Sequence, residues 1–186
     1  MMKPNLLARL MRIKKVAVIG AGTMGAGIAQ ICAQTGWETI LYDAFPEGLQ
    51  RGMSNIDAFW EKGIARGKTS TEQKLEWAAN LSPVDDLAQA VKDCDLVIEA
   101  VPEIIELKQE IFREVELYCS DDTILATNTS SLSIKSIARV MKRPERLIGM
   151  HFFNPVPIMK LLELVKHSET NDLSLIHISE PTRRTP

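Results

Sequence analysis

Residues 15–43 constrain this chain more than any other stretch. Val16-Ala17-Val18-Ile19 is an unbroken apolar run, suited to a strand buried on both faces, and Gly20, Gly22 and Gly25 follow it directly as G-x-G-x-x-G. Ala26 to Ala33 reads as a helix of small residues, and a second strand-like run, Glu38 to Tyr42, ends on Asp43. The glycines have separate tasks: a tight turn, close approach of bare backbone to a pyrophosphate, and close packing of helix on strand. Gly20, Ala21, Gly22, Thr23, Met24 and Gly25 thus form a loop and helix start whose free N–H groups and positive dipole end suit phosphate. A carboxylate at Asp43 can accept both ribose hydroxyls and repels a 2′-phosphate, so NAD is the expected cofactor rather than NADP. The glycine pattern alone would fit an ordinary turn; strand, helix and terminal acid around it point to a dinucleotide.

The 186 residues suffice for one domain with a packed core, or one domain and part of another. With 45% hydrophobic and 25% charged residues and a net charge of −2, nothing favours nucleic acid or an anionic membrane surface as partner. No apolar stretch approaches the length of a membrane span. Cys32, Cys94 and Cys119 are odd in number and lack metal-ligand spacing, which reads as reduced thiols, no metal and a cytoplasmic setting. Residues 1–12 form a basic extension, read as an upstream start ahead of Met11 rather than a transit peptide. Leu173 to Pro186 looks like a translated sequencing adapter, so residues 173–186, His177 included, are expected to be a non-native, disordered tail.

Between these ends, apolar runs alternate with helical patterns. Strands are expected at Leu81–Val84, Leu96–Val101, Thr123–Thr127 and Arg146–Phe152, with a further one within Met159–Val165. Helices are expected over Glu47–Arg66, Thr71–Ala79, Ile105–Tyr118 and Ser133–Val140. This alternation predicts an α/β fold, a doubly wound and mostly parallel sheet of Rossmann type, as one domain over residues 13–172. Ligands of such sheets bind outside the carboxyl ends of the strands, where Gly20, Asp43, Glu103 with Lys108, Asn128 to Ser131, and His151 with Asn154 all fall. Any one of these could be a loop or capping residue, Ser131 and Ser133 especially. A histidine between apolar neighbours is also commonly a buried structural one. Here the prolines of Asn154-Pro155-Val156-Pro157 hold the chain extended, and it could return to bring Glu163 to the His151 imidazole. A carboxylate there would fix the tautomer and stabilise the imidazolium of a general base, as alcohol oxidation requires.

These residues also resemble a known family. The glycine loop, Val97-Ile98-Glu99-Ala100 with Glu103 and Lys108, Asn128-Thr129-Ser130-Ser131-Leu132, and Gly149-Met150-His151-Phe152-Phe153-Asn154-Pro155-Val156-Pro157 are similar to the NAD-binding domain of L-3-hydroxyacyl-CoA dehydrogenases, of the 3-hydroxybutyryl-CoA type. The resemblance spans about Ile13 to Val165. It implies His151 as catalytic base, Glu163 as its orienting acid and Ser130 at the substrate's 3-oxygen and the cofactor. It implies Asn154 near the nicotinamide, Glu103 and Lys108 lining the cofactor site, and Asp43 on the ribose. Ser54 and Lys62 are loose counterparts of the residues that contact CoA. The implied activity is NAD-dependent oxidation of a 3-hydroxyacyl-CoA, or the reverse reduction, in fatty acid or butanoate metabolism. Family members carry a helical C-terminal domain that closes the acyl site and forms a homodimer, which this chain is expected to lack. Its alternative reading is a module that binds NAD without turnover.

Overall fold

The computed structural model describes residues 10–159 and 161–167. The expectations for residues 1–9 and for the 173–186 tail therefore lie outside the described residues. The apolar run after Lys14 forms β1 (Lys15–Ile19), and the glycine loop leads into α1 (Thr23–Gln34). β2 (Glu38–Tyr42) is followed by a helical pair, α2 (Pro46–Ala65) and α3 (Thr71–Ala79), and by β3 (Leu81–Val84). Next come α4 (Leu87–Val91), β4 (Leu96–Glu99), α5 (Ile105–Tyr118), β5 (Ile124–Thr127) and α6 (Ile134–Ala138). A 3-10 turn at Pro144–Arg146 precedes β6 (Leu147–Phe152), and β7 (Leu162–Val165) follows.

The strands form one sheet in the order β3-β2-β1-β4-β5-β6-β7. Every pairing is parallel except β6 with β7, which is antiparallel. Strand side chains alternate between the two faces, so each strand feeds two cores. Val16, Val18, Leu96 and Ile98 pack on one face beneath Ile28 and Ala29 of α1. Ala17, Ile19, Val97 and Leu125 pack on the other, against Phe112 and Val115 of α5. All of these are essentially fully buried, and each large aliphatic contributes about 1.5–3 kcal/mol by leaving water.

The α2–α3 pair has its own local logic. Ser70 accepts from the Gln73 N–H at 3.2 Å while the Gln73 side chain accepts from the Ser70 N–H at 2.9 Å, a capping box that fixes the start of α3. Lys74 then pairs with Asp57 at 2.6 Å and with Glu61, and Trp60 meets Trp77 at 6.0 Å between ring centroids.

The structure differs from the sequence reading in two details. α4 was not expected; it is a five-residue helix whose Asp86 cap accepts from the Gln89 N–H at 2.7 Å. β4 stops at Glu99 rather than running to Val101, because the Glu99 carboxylate turns back to accept from the Val101 N–H at 2.8 Å. The last strand falls within the expected Met159–Val165, starting at Leu162, and pairs antiparallel with β6.

Candidate active site

The strand order reverses direction between β1 and β4, and a crevice of about 1030 Å³ opens there at the carboxyl edge of the sheet. Its volume is that of a small-molecule or cofactor pocket. Gly20, Ala21, Gly22, Thr23 and Met24 line it, with Asp43 from the end of β2 and Val101 after β4 on the flanks. The glycines now separate by geometry. Gly20 has φ +97°, a left-handed conformation that disfavours any side chain. A Cβ on Gly25 would sit 1.7 Å from the Gly20 carbonyl oxygen, so only glycine lets α1 start against the loop. A Cβ on Gly22 would meet nothing within 4 Å and would project into open space. That space is where a diphosphate would lie against backbone, so the loop fits the dinucleotide that its sequence implies. The Asp43 carboxylate accepts from the Ala21 N–H at 2.7 Å and the Phe45 N–H at 3.0 Å, which binds the acid to the loop and leaves lone pairs for a ribose.

Beside the crevice lies a polar network that sequence reasoning did not assign. Glu99, fully buried at the last position of β4, accepts from Lys108 Nζ at 2.6 Å, from the Thr127 hydroxyl at 2.7 Å and from the Val101 N–H. Lys108 is also fully buried, and its second carboxylate partner is Glu103 at 3.3 Å. Lys108, expected at the cofactor site, has its ammonium held by two acids, Glu99 and Glu103. Burial demands this, since an unpaired ammonium there would be far more costly. Glu103 belongs to the same network. It accepts from the Thr129 hydroxyl, from the Ser130 N–H at 3.0 Å and from the Ser131 N–H at 3.2 Å. Burial pushes its pKa up, but the Thr129 hydroxyl, the Lys108 charge and the Ser131 N–H outweigh this and hold it down at about 2. Glu103 thereby pins the loop after β5. Ser131 belongs to that anchor, whereas Ser133 does cap α6, accepting from the Ser136 N–H at 3.3 Å. The available signal for Glu99 was an acid closing an otherwise apolar strand; its partner Thr127 faces it in register across β5.

At the same edge, three strands along, His151 on β6 lies directly opposite Glu163 on β7. Its Nδ1 is 3.0 Å from Glu163 Oε2. A carboxylate can only accept, so Nδ1 carries the hydrogen and Nε2 is left for chemistry. Phe153 stacks at 4.5 Å between ring centroids, and the Phe152 N–H donates to Asn128 Oδ1 at 2.9 Å, which ties the histidine strand to the β5 loop. The chain turns back through Asn154 and a cis Asn154–Pro155 bond. The side chains of Asn154 and Ser130 are exposed, as are Ser54 and Lys62 on α2; none of these four lines the crevice. Cys32 and Cys94 are buried free thiols, and burial pushes both pKa values up to about 12. Among the described residues no helix is long and apolar enough to cross a membrane, and no acid, histidine and cysteine cluster could hold a metal ion.

Comparison with known proteins agrees with this geometry. The NAD-binding domain of 3-hydroxyacyl-CoA dehydrogenases matches residues 15–184, a span that overlaps the 173–186 segment set apart above. A probable 3-hydroxybutyryl-CoA dehydrogenase of Bacillus subtilis is 39% identical over 178 residues, covering 94% of this chain and 62% of that protein. The 3-hydroxyadipyl-CoA dehydrogenase of Escherichia coli is 45% identical over 84% of this chain and 33% of its own length. The crystal structure of (S)-3-hydroxybutyryl-CoA dehydrogenase from Ralstonia eutropha superposes with a TM-score of 0.83 at 38% identity, over 86% of this chain and 56% of that one. The chain thus spans between a third and about three-fifths of the length of these relatives.

Proposed function

Because this chain belongs to the 3-hydroxyacyl-CoA dehydrogenase family through its NAD-binding domain, we propose that it supplies the cofactor site and the acid–base pair for interconverting an L-3-hydroxyacyl-CoA and a 3-ketoacyl-CoA. The observation that carries this reading is the 3.0 Å contact between His151 and Glu163, on the sheet edge that also bears the glycine loop. His151 Nε2 accepts the proton of the substrate's 3-hydroxyl, and Glu163 stabilises the imidazolium that results. Run backwards, the imidazolium returns the proton to the oxygen of a 3-ketoacyl-CoA. NAD, when bound, supplies the hydride acceptor for the C3 carbon, or the donor in reverse. Asp43 holds its ribose and the glycine loop its phosphates. Ser130 sits at the substrate's 3-oxygen, on a loop that Glu103 anchors through the Ser130 and Ser131 N–H groups, and Asn154 near the nicotinamide. Ser54 and Lys62, about 12 Å apart along α2 by helix rise, are offered to the CoA portion. The setting is the cytoplasm, supported by free thiols, with the homodimer that the family resemblance implies for a chain of the relatives' length.

The test has two parts. Fluorescence titration of this polypeptide with NADH should give saturable binding, and its absence refutes the reading. Oxidation of NADH with acetoacetyl-CoA is then followed in the chain restored to its relatives' length. Turnover that is lost on His151→Gln supports the assignment; NADH binding without any turnover leaves a binding module instead.

A further inference from the structure

The cofactor crevice is acidic, although its expected ligand is an anion. Asp43, Glu47, Glu110 and Glu114 all line it, and Arg51 is the sole cationic side chain among the described lining residues. The Arg51 side chain has no hydrogen bond or ion pair among the described residues, and none with the Glu47 carboxylate one turn earlier. An unpaired guanidinium in a crevice with surplus acid nearby is a charge held ready for something else.

Its place on α2 identifies the target. This helix lies across the carboxyl edge, pressed onto the cofactor elements through two glycines. A Cβ on Gly48 would approach Asp43 Oδ1 to 3.1 Å, and one on Gly52 would approach the Ala21 carbonyl oxygen to 2.8 Å. Arg51 stands three residues after the first glycine and one before the second, between the ribose acid and the phosphate loop. Asn55, one turn further on, lines the same crevice. Gly22, with open space in front of its Cα, lines the same crevice as Arg51.

We propose that Arg51 grips the diphosphate of NAD(H) from the α2 side, supplying the cation that the glycine loop lacks. A guanidinium's forked donors match phosphate oxygens in pairs and bring a full positive charge, which the loop's neutral N–H groups do not carry. The inference rests on the NAD-binding reading, and the two can fail separately.

NADH titration of the unaltered chain, Arg51→Gln and Arg51→Lys, with competition by ADP and by adenosine, separates the outcomes. Loss of a charge-assisted contact should weaken NADH and ADP about tenfold or more in Arg51→Gln. Adenosine, which has no phosphate, should bind as before, and Arg51→Lys should recover part of the loss. Because Arg51 is exposed, thermal unfolding should not move. Equal affinity of Arg51→Gln and the unaltered chain for NADH and ADP overturns the proposal. So does an equal loss for adenosine, which would mean a damaged pocket. Failure of the unaltered chain to bind NADH overturns the NAD-binding reading and this inference with it.

Discussion

Replacing Glu99 by glutamine should cost the domain about 3 kcal/mol, because it strips the counter-charge from a buried ammonium. Glu99 and Lys108 both have fully buried side chains, 2.6 Å apart. Removing one partner of such a pair typically costs about 3–5 kcal/mol. Lys108 would retain Glu103 and the Val101 carbonyl, each at 3.3 Å, and these longer contacts place the expectation at the lower end. A domain with roughly 5–15 kcal/mol of stability would stay folded. With a urea m-value of about 2 kcal/mol per M, the midpoint should fall by about 1.5 M. Lys108→Met should cost a similar amount, since it leaves Glu99 with only the Val101 N–H and the Thr127 hydroxyl. The double variant removes both charges, so its loss should be well below the sum of the singles. Urea unfolding followed by far-ultraviolet circular dichroism measures all three. A midpoint shift below about 0.3 M for Glu99→Gln, or strict additivity in the double variant, would refute the account of a buried, charge-paired network.

Gly25→Ala and Gly22→Ala should separate folding from binding. The first meets the Gly20 carbonyl oxygen at 1.7 Å and should lower stability by more than about 3 kcal/mol, whereas the second meets nothing and should change it by less than about 0.5 kcal/mol while weakening NADH. Asp43→Ala should weaken NADH by about 1.5–3 kcal/mol in a fluorescence titration, and should also lower the unfolding midpoint because the Ala21 and Phe45 N–H groups lose their acceptor. Glu103, held at about 2 against an ordinary 4.5, contributes stability that is complete above pH 4.5 and is lost as pH falls toward 2. Its side chain is 35% exposed, so after solvent screening the loss is about 1–2 kcal/mol; Glu103→Gln should flatten the stability–pH curve over that window. In a chain of the relatives' length, His151→Gln should lower kcat by roughly 10²–10⁴-fold with little change in NADH affinity, and Glu163→Gln should lower it less.

Legibility in the sequence followed the range of the interactions. β2, α3, β3 and α5 have the limits that their apolar patterns and caps imply, because those signals act within a few residues. α4 escaped because five residues show less than two turns of periodicity, and only its Asp86 cap marked it. The pairing of Lys108 with Glu99 and Glu103 left no sequence signal, because the three meet only through tertiary contacts. Arg51 carries no signal in the sequence, since an arginine on an amphipathic helix reads as a solvated surface residue, and only the contacts at Gly48 and Gly52 lay that helix across the loop.

What residues 15–43 determined by themselves was a strand, a bare loop, a helix start and a terminal acid. Their chemistry is local: glycine conformations, free N–H groups and one carboxylate. The wider alternation of apolar runs determined a doubly wound sheet, since each run must be buried on both faces. Tertiary structure decided the rest. Antiparallel return of β7 along β6 set Glu163 opposite His151, a register that hydrogen bonds between distant segments fix and no periodicity encodes. Burial of Lys108 between two acids was decided in the same way. A charge can enter the interior only where separate elements supply its partners together, and that coincidence exists only once the chain has folded.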